Sequence, residues 1–209
     1  AAVLADEMGL GKTMQAVTPI RLLAHHGQLR RVLLVCPKPL VTNWQREFAL
    51  WATELPVSVV DGGPERRQWF WREGGSLVTI ANYESLVRDR AQVCDAQNYY
   101  DLVLLDEAQR IKNINNTTNE VVRAIPRGKS WALTGTPIEN SVEDLVGIFE
   151  FVSPGLVTAS LKPKAIGRAV ADHVLPGGTP VQHVIVNSLF HQNRADAHPG
   201  VGSTWLWGT

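Results

Sequence analysis

The sequence predicts an α/β fold in three layers, in which helices cover both faces of a mostly parallel central sheet. Short, almost wholly apolar runs alternate along the chain with longer segments of helical period. Such runs are typical of strands that are buried on both faces, as in parallel sheets between two layers of helices. Ligands of these folds bind at the carboxyl edge of the sheet, where the strands end. The chemically informative motifs of this sequence directly follow predicted strands.

Six strands and six helices are predicted from this alternation. The first strand, residues 1–5, leads into a glycine-rich loop. The second, residues 31–36, is closed by Pro37, and the third, residues 57–60, by the turn 61–64 with its two glycines and proline. The remaining strands are 77–80, 102–105 and 131–134, and the helices are 12–25, 40–52, 65–72, 83–90, 119–124 and 142–151.

The composition is that of an ordinary globular domain. Of 209 residues, 44% are hydrophobic and 19% are charged, and 20 basic side chains balance 20 acidic ones. Wholesale disorder and a globally basic nucleic-acid-binding protein are excluded, so any contact with DNA must be local. Two cysteines cannot form a disulfide framework in a chain of this length. No apolar run approaches the roughly 20 residues of a membrane helix, and we expect no membrane partner.

A glycine-rich loop between the first strand and the first helix has the properties of a phosphate site. Gly9 and Gly11 permit a tight turn whose amides face an anion, and the helix that follows adds its positive dipole end. Lys12 suits the β- and γ-phosphates of a nucleotide, and the hydroxyl of Thr13 suits Mg²⁺. The strict phosphate-loop pattern has glycine where Asp6 stands, and a glycine-rich turn without a ligand is the alternative. The predicted nucleotide-binding residues are Met8, Gly9, Leu10, Gly11, Lys12, Thr13 and Met14.

Two carboxylates follow the apolar run 102–105. Asp106 and Glu107 are costly to place at the end of a buried strand unless a cation or a water molecule uses them. We expect Asp106 to hold Mg²⁺ and Glu107 to polarise the attacking water. Acidic residues at the start of a helix are the alternative explanation. In combination with Lys12 and Thr13, the pair predicts a nucleoside triphosphatase.

A third segment ends the strand 131–134 with hydroxyl and glycine residues. Thr134, Gly135 and Thr136 place small hydrogen-bonding groups at the carboxyl edge, where they could contact the acidic pair and report the state of the γ-phosphate. Gln109, just after the acidic pair, is assigned to the same coupling role. Taken alone, the Thr-Gly-Thr-Pro sequence is better explained as an ordinary turn.

These three segments, in this order, resemble motifs I, II and III of superfamily-2 helicase-like ATPases. They resemble more narrowly the Swi/Snf-type double-stranded-DNA translocases. Members of that family usually have aspartate at the loop position that Asp6 occupies here. The segments are LADEMGLGKT at 4–13, DEAQRIKN at 106–113 and LTGTPIEN at 133–140. Residues 35–44 and 80–84 are similar to motifs Ia and Ib, although Asn82 replaces the usual serine or threonine. The resemblance implies contacts with the DNA backbone from Pro37, Lys38, Asn43, Asn82 and Tyr83.

The resemblance implies a function for residues 1–175 as the first RecA-like lobe of such an enzyme. ATP and Mg²⁺ would bind between this lobe and a second one, which supplies an arginine finger and which nothing in this sequence matches. Double-stranded DNA is the implied partner, with a nucleoprotein or transcription complex as a further one, in the nucleus or the nucleoid. Another P-loop nucleoside triphosphatase and a non-catalytic remnant of a broken gene are the alternatives.

The two ends of the chain differ from its middle. Residues 1–5 begin within an apolar strand, so a preceding segment is expected. Between residues 176 and 209 only Arg194 and Asp196 are charged, and eight of the thirty-four positions are glycine or proline. We therefore expect a boundary near Leu175 and an irregular, non-native tail over 176–209, with one short strand at 181–189.

Overall fold

A computed structural model describes residues 1–6, 9–73, 76–135 and 143–155, with backbone alone at 143–145. Six strands form one parallel sheet of order β1-β6-β5-β2-β4-β3. They are β1 (Ala2–Leu4), β2 (Val32–Cys36), β3 (Val57–Val59), β4 (Val78–Asn82), β5 (Tyr100–Leu105) and β6 (Arg127–Leu133). The sheet is thus parallel throughout the described residues, as the apolar strands predict.

Helices connect the strands. They are α1 (Lys12–His25), α2 (Val41–Trp51), α3 (Pro64–Arg72), α4 (Tyr83–Arg88), α5 (Arg90–Val93), α6 (Thr117–Ala124) and α7 (Glu143–Val152). Two short 3₁₀ helices, Lys38–Leu40 and Ala108–Ile111, follow β2 and β5. No helix among the described residues has the length and apolarity needed to cross a membrane. The boundary near Leu175, the tail 176–209 and its strand 181–189 lie outside the described residues.

The predicted helix 83–90 is wrong at its end, because the chain leaves helical geometry at Asp89 and α5 begins as a separate turn. The Asp89 carboxylate accepts hydrogen bonds from the Arg67 guanidinium, at 2.8 and 3.0 Å, and from the Trp71 indole at 2.9 Å. Burial alone would raise the pKa of Asp89, but the hydrogen bonds from Arg67 and Trp71 outweigh it, so that pKa lies below its ordinary value. This polar cluster ties α3 to the α4–α5 junction.

Each face of the sheet carries its own apolar core, and the three predicted layers are confirmed. Alternate strand residues point to opposite faces. Leu34 and Leu104 pack with Ile20 of α1 and Phe48 of α2. The opposite face packs against α3, α4, α6 and α7, with Val35, Leu105, Trp71, Leu86, Val122 and Phe149 among its buried residues.

The core explains one tryptophan pair only in part. Trp44 and Trp51 lie seven residues apart on α2, a spacing that predicts a shared core position. Trp44 is 1% exposed, whereas Trp51 is 45% exposed and donates its indole N–H to Glu47 at 3.0 Å. Trp51 is the last residue of α2 and lies beside the buried face, which runs through Trp44, Phe48 and Ala52.

Helix α7 lies unusually close to the segment that follows β5. The side-chain amide of the fully buried Asn119 donates to the carbonyl oxygens of Ile111 and Gly147. A Cβ atom at Gly147 would overlap the backbone oxygens of Ile111 and Lys112. Only glycine permits this approach, by which α7 is held against the segment that carries the acidic pair.

We expect Gly147→Ala to lower the free energy of unfolding by about 2 kcal/mol, because overpacking against rigid backbone outweighs alanine's better helix propensity. Urea unfolding monitored by circular dichroism measures the change. Gly63→Ala is the matched control, since no atom lies within 4 Å of a Cβ there and its φ is an ordinary −69°. Equal stability of the two variants would contradict the close approach.

Candidate functional site

Three strand ends bring the predicted nucleotide motifs to one edge of the sheet. Strand β6 pairs with β1 through Leu133 and Leu4, and with β5 through Ala132 and Leu105. The loop after β1 and the acidic pair after β5 therefore lie on either side of the end of β6. Strands two places apart are separated by about 10 Å, which suits a terminal phosphate and a metal ion between lysine and carboxylate.

The loop after β1 has the backbone that its glycines predict. Gly9 and Gly11 have φ values of +88° and +73°. Residues other than glycine rarely adopt this left-handed region. Gly11 precedes α1 directly, so Lys12 and Thr13 lie in its first turn. The ammonium of Lys12 donates to the Asp6 carbonyl oxygen at 2.8 Å.

Other side chains around this loop complete its description. Gln15 donates to the Leu10 carbonyl at 2.8 Å and to the Asp6 carboxylate at 3.3 Å, and thereby spans the loop. Sequence reasoning missed Gln15; the available signal was a polar residue one turn into α1, whose side chain covers the preceding turn. Leu10 and Met14 are 59% and 44% exposed beside the loop, and Met8 lies outside the described residues.

Asp106 is held on all sides at the end of β5. Its backbone N–H donates to Val35 of β2, and its backbone carbonyl accepts the hydroxyl of Tyr83, both at 2.8 Å. Its carboxylate accepts the indole N–H of Trp44 at 2.8 Å on one oxygen and the amide of Glu107 at 2.9 Å on the other.

The charge on Asp106 is partly desolvated. Burial raises the pKa of its carboxyl above the ordinary value, and the neighbouring Glu107 charge acts in the same direction. The Trp44 hydrogen bond and the positive charge of Lys12 oppose this rise. A desolvated carboxylate within the electrostatic range of a lysine is a position that a cation would stabilise.

Glu107 has a strained backbone. Its φ and ψ are both 51°, and among the described residues it is the only non-glycine residue with positive φ. Such left-handed geometry costs of order 1–3 kcal/mol and clusters at functional sites. Glu107 directly precedes the 3₁₀ helix Ala108–Ile111 as its N-terminal cap, but its side chain makes no capping hydrogen bond, so helix capping does not account for the left-handed backbone.

A hydrogen-bond chain connects the end of β6 to Glu107. The hydroxyl of Thr134 donates to the side-chain oxygen of Gln109 at 2.8 Å, and the Gln109 amide donates to the Glu107 carboxylate at 2.6 Å. The Thr134 amide also donates to the Leu4 carbonyl of β1. Gly135 follows directly, whereas Thr136 lies outside the described residues. Two of the residues predicted for coupling, Gln109 and Thr134, are therefore in direct contact.

The residues predicted to contact DNA divide into accessible and inaccessible ones. Lys38 and Asn43 are exposed, and Asn82 is half-buried, with its side chain accepting the Ser85 amide at the start of α4. Pro37 is buried, and Tyr83 is 2% exposed with its hydroxyl on Asp106. The side chains of Pro37 and Tyr83 are thus largely buried, and a DNA contact from these two residues stays a prediction.

A groove of about 360 Å³ joins Lys38 to Asn82 at the ends of β2 and β4. Arg67 and Arg88 line it as well, together with the acidic Asp61 and Glu84. Sequence reasoning did not single out Arg88, which lies at the end of α4. Its three basic side chains face two acidic ones, and Arg67 is also paired with Asp89, so the groove is only weakly basic.

The described residues contain no group of three or more His, Cys, Asp or Glu side chains that could hold a metal ion. Thr13 and Asp106 nevertheless offer the hard oxygen donors that Mg²⁺ prefers, and Mg²⁺ commonly binds through one carboxylate, water and substrate phosphates. The residues present thus fit a magnesium ion that arrives with a nucleotide.

The glycine loop, the acidic pair and the parallel sheet together define a P-loop nucleotide-binding domain of helicase type. The model of the SNF2-related domain matches residues 1–162, and the chain belongs to this family. This confirms the predicted resemblance.

The chain is 34% identical over 164 residues to the human DNA repair and recombination protein RAD54B, covering 75% of this chain and 18% of the relative. It is 36% identical over 158 residues to the probable ATP-dependent DNA helicase CHR12 of Arabidopsis thaliana, covering 73% and 14%. The Sulfolobus solfataricus SWI2/SNF2 ATPase core, solved in complex with dsDNA, matches with a TM-score of 0.68 and 30% identity over 82% of this chain and 35% of that one. The chain thus spans less than a fifth of these curated relatives.

Proposed function

We propose that this chain is the first ATP-binding lobe of a Swi/Snf-type ATPase that moves along double-stranded DNA. The observation that carries the proposal is the placement of the phosphate loop and the acidic pair at adjoining ends of β1, β6 and β5. The strained geometry of Glu107 supports a role in chemistry beyond structure.

Each group at the edge has a proposed task. The Lys12 ammonium exchanges the Asp6 carbonyl for the β- and γ-phosphates. Thr13 and Asp106 would hold Mg²⁺, which would neutralise charge on the phosphates. Glu107 accepts a hydrogen bond from the attacking water and orients it toward the γ-phosphate, and Gln109 fixes the Glu107 carboxylate for that purpose.

The groove at the ends of β2 and β4 is the proposed DNA contact. Lys38 and Arg88 neutralise backbone phosphates there, and Asn43 and Asn82 can donate hydrogen bonds. Contacts of this kind recognise charge and shape and do not read sequence. The matched SWI2/SNF2 core was solved with dsDNA, which supports this choice of partner. A DNA substrate implies a location in the nucleus or the nucleoid.

The isolated 209-residue chain should bind Mg·ATP but hydrolyse it slowly. The proposed enzyme takes its arginine finger from a second lobe, and such a residue contributes about 10³–10⁵ to the rate of related phosphoryl transfers. Phosphate release measured with and without duplex DNA tests this expectation, and the protein that contains both lobes is the comparison. Rapid DNA-stimulated turnover by the isolated chain would refute the two-lobe mechanism. If duplex DNA does not change the rate of ATP hydrolysis by the two-lobe protein, another class of P-loop enzyme is favoured.

A further inference from the structure

The indole of Trp44 makes a contact that the proposed mechanism does not use. Trp44 lies in α2, is 1% exposed and packs in the core that α1 and α2 form with the sheet. A buried indole N–H requires an acceptor. The acceptor here is the carboxylate of Asp106, 62 positions further along the chain, at 2.8 Å.

This hydrogen bond fixes the orientation of one particular side chain. The amide of Glu107 occupies one oxygen of the Asp106 carboxylate, and Trp44 occupies the other. Each carboxylate oxygen has two lone-pair positions. One donor on each oxygen locks the rotation of the carboxylate and leaves a further lone pair on each for a ligand.

The main chain of Asp106 is fixed independently of Trp44. Val35 accepts its amide hydrogen and Tyr83 donates to its carbonyl. Loss of the indole donor would therefore free the side chain without displacing the strand end. Without Trp44, only the Glu107 amide, from the strained residue next in sequence, would remain to orient the carboxylate.

We propose that Trp44 is a positioning residue, which holds the Asp106 carboxylate in the orientation that receives the Mg²⁺ of a bound nucleotide. The proposal rests on the proposed function, because it assumes that Asp106 is a magnesium ligand. It adds a residue in the middle of α2 to the nucleotide site. Helix α2 also carries Asn43 and follows the 3₁₀ helix that begins at Lys38, so the same segment meets the nucleotide site and the proposed DNA groove.

The test compares ATP binding by the 209-residue chain in Mg²⁺ and in EDTA, measured by isothermal titration calorimetry. Trp44→Phe keeps an aromatic ring in the core but removes the donor. Substitution of residues that orient a metal ligand typically costs 10–100-fold in metal affinity, so we expect the magnesium concentration for half-maximal tightening to rise about tenfold. Affinity for ATP in EDTA should stay unchanged.

Trp51→Phe is the matched control. It is the same substitution in the same helix and also removes an indole hydrogen bond to a carboxylate, that of the exposed Glu47. The magnesium dependence of Trp51→Phe should equal that of the wild type. A merely structural role for Trp44 would lower the unfolding midpoint and leave the magnesium dependence of the folded fraction unchanged, which would overturn the proposal.

A measurement on the wild-type chain covers the case in which Trp44→Phe does not fold. The assigned indole N–H resonance of Trp44 should shift when ATP is added with Mg²⁺ and should stay in place when ATP is added with EDTA. The Trp51 resonance should stay in place in both. An unmoved Trp44 resonance, or a full magnesium response in Trp44→Phe, overturns the proposal while the proposed function stands. A wild-type chain whose ATP affinity ignores Mg²⁺ defeats the assignment of Asp106 itself.

Discussion

Replacing Glu107 with glutamine in the protein that contains both lobes should leave ATP binding intact and reduce hydrolysis by about 10²–10⁴-fold. The substitution keeps the size of the side chain and a hydrogen-bonding partner for Gln109. It removes the carboxylate that polarises the attacking water, an interaction made only during the reaction. The loss should therefore appear in kcat, with little change in the affinity for Mg·ATP.

The control for this variant is Glu120→Gln, at an exposed position in the first turn of α6. It makes the same chemical change away from the nucleotide edge and should hydrolyse ATP at the wild-type rate. Phosphate release under single-turnover conditions separates chemistry from product release. Wild-type turnover in Glu107→Gln would remove Glu107 from the mechanism.

Lys12→Ala should weaken the binding of Mg·ATP by about a hundredfold. A hydrogen bond to a charged group contributes about 1.5–3 kcal/mol, and the ammonium is placed to contact two phosphate groups. In the structure, this ammonium donates to the Asp6 carbonyl across the loop. Calorimetric titration of the 209-residue chain gives the change directly.

Lys129→Ala is the corresponding control, because Lys129 lies in the first half of β6, toward the opposite edge of the sheet. Its ATP affinity should match that of the wild type. Equal affinity of Lys12→Ala and the wild type would show that the glycine loop does not hold the nucleotide in the proposed way.

The strands that carry the site could be predicted because their apolar runs are nearly pure, but the starts of β5 and β6 could not. Strand β6 begins at Arg127, four residues before the predicted 131, since Arg127 pairs with Tyr100 of β5 and its guanidinium donates to Ser130 and to backbone carbonyls. Strand β5 likewise begins at Tyr100, two residues early. Backbone pairing with a neighbour extends a strand into polar sequence, and a pattern of side chains does not report such pairing.

The residues of the candidate site could likewise be predicted only in part. Asp106, Glu107 and Lys12 could be placed at one edge because their loops directly follow strands. The hydrogen bond from Trp44 to Asp106 could not be predicted. The spacing of the tryptophans on α2 indicates that Trp44 is buried, but it does not identify the acceptor of the indole N–H. The burial of Pro37 and Tyr83 could not be predicted from their motifs either, and Tyr83 donates its hydroxyl to the Asp106 carbonyl directly after β5.

Because Asp106 is anchored by several hydrogen bonds, the two sides of the proposed nucleotide site differ in rigidity. On one side, hydrogen bonds with β2, α2 and α4 fix Asp106. On the other side lies the glycine loop, in which the Lys12 ammonium donates a hydrogen bond to the Asp6 carbonyl. In the proposed mechanism, Lys12 exchanges this acceptor for a phosphate. The carboxylate side of the proposed site is therefore preorganised, and we expect the shape change that accompanies nucleotide binding to begin in the loop between β1 and α1.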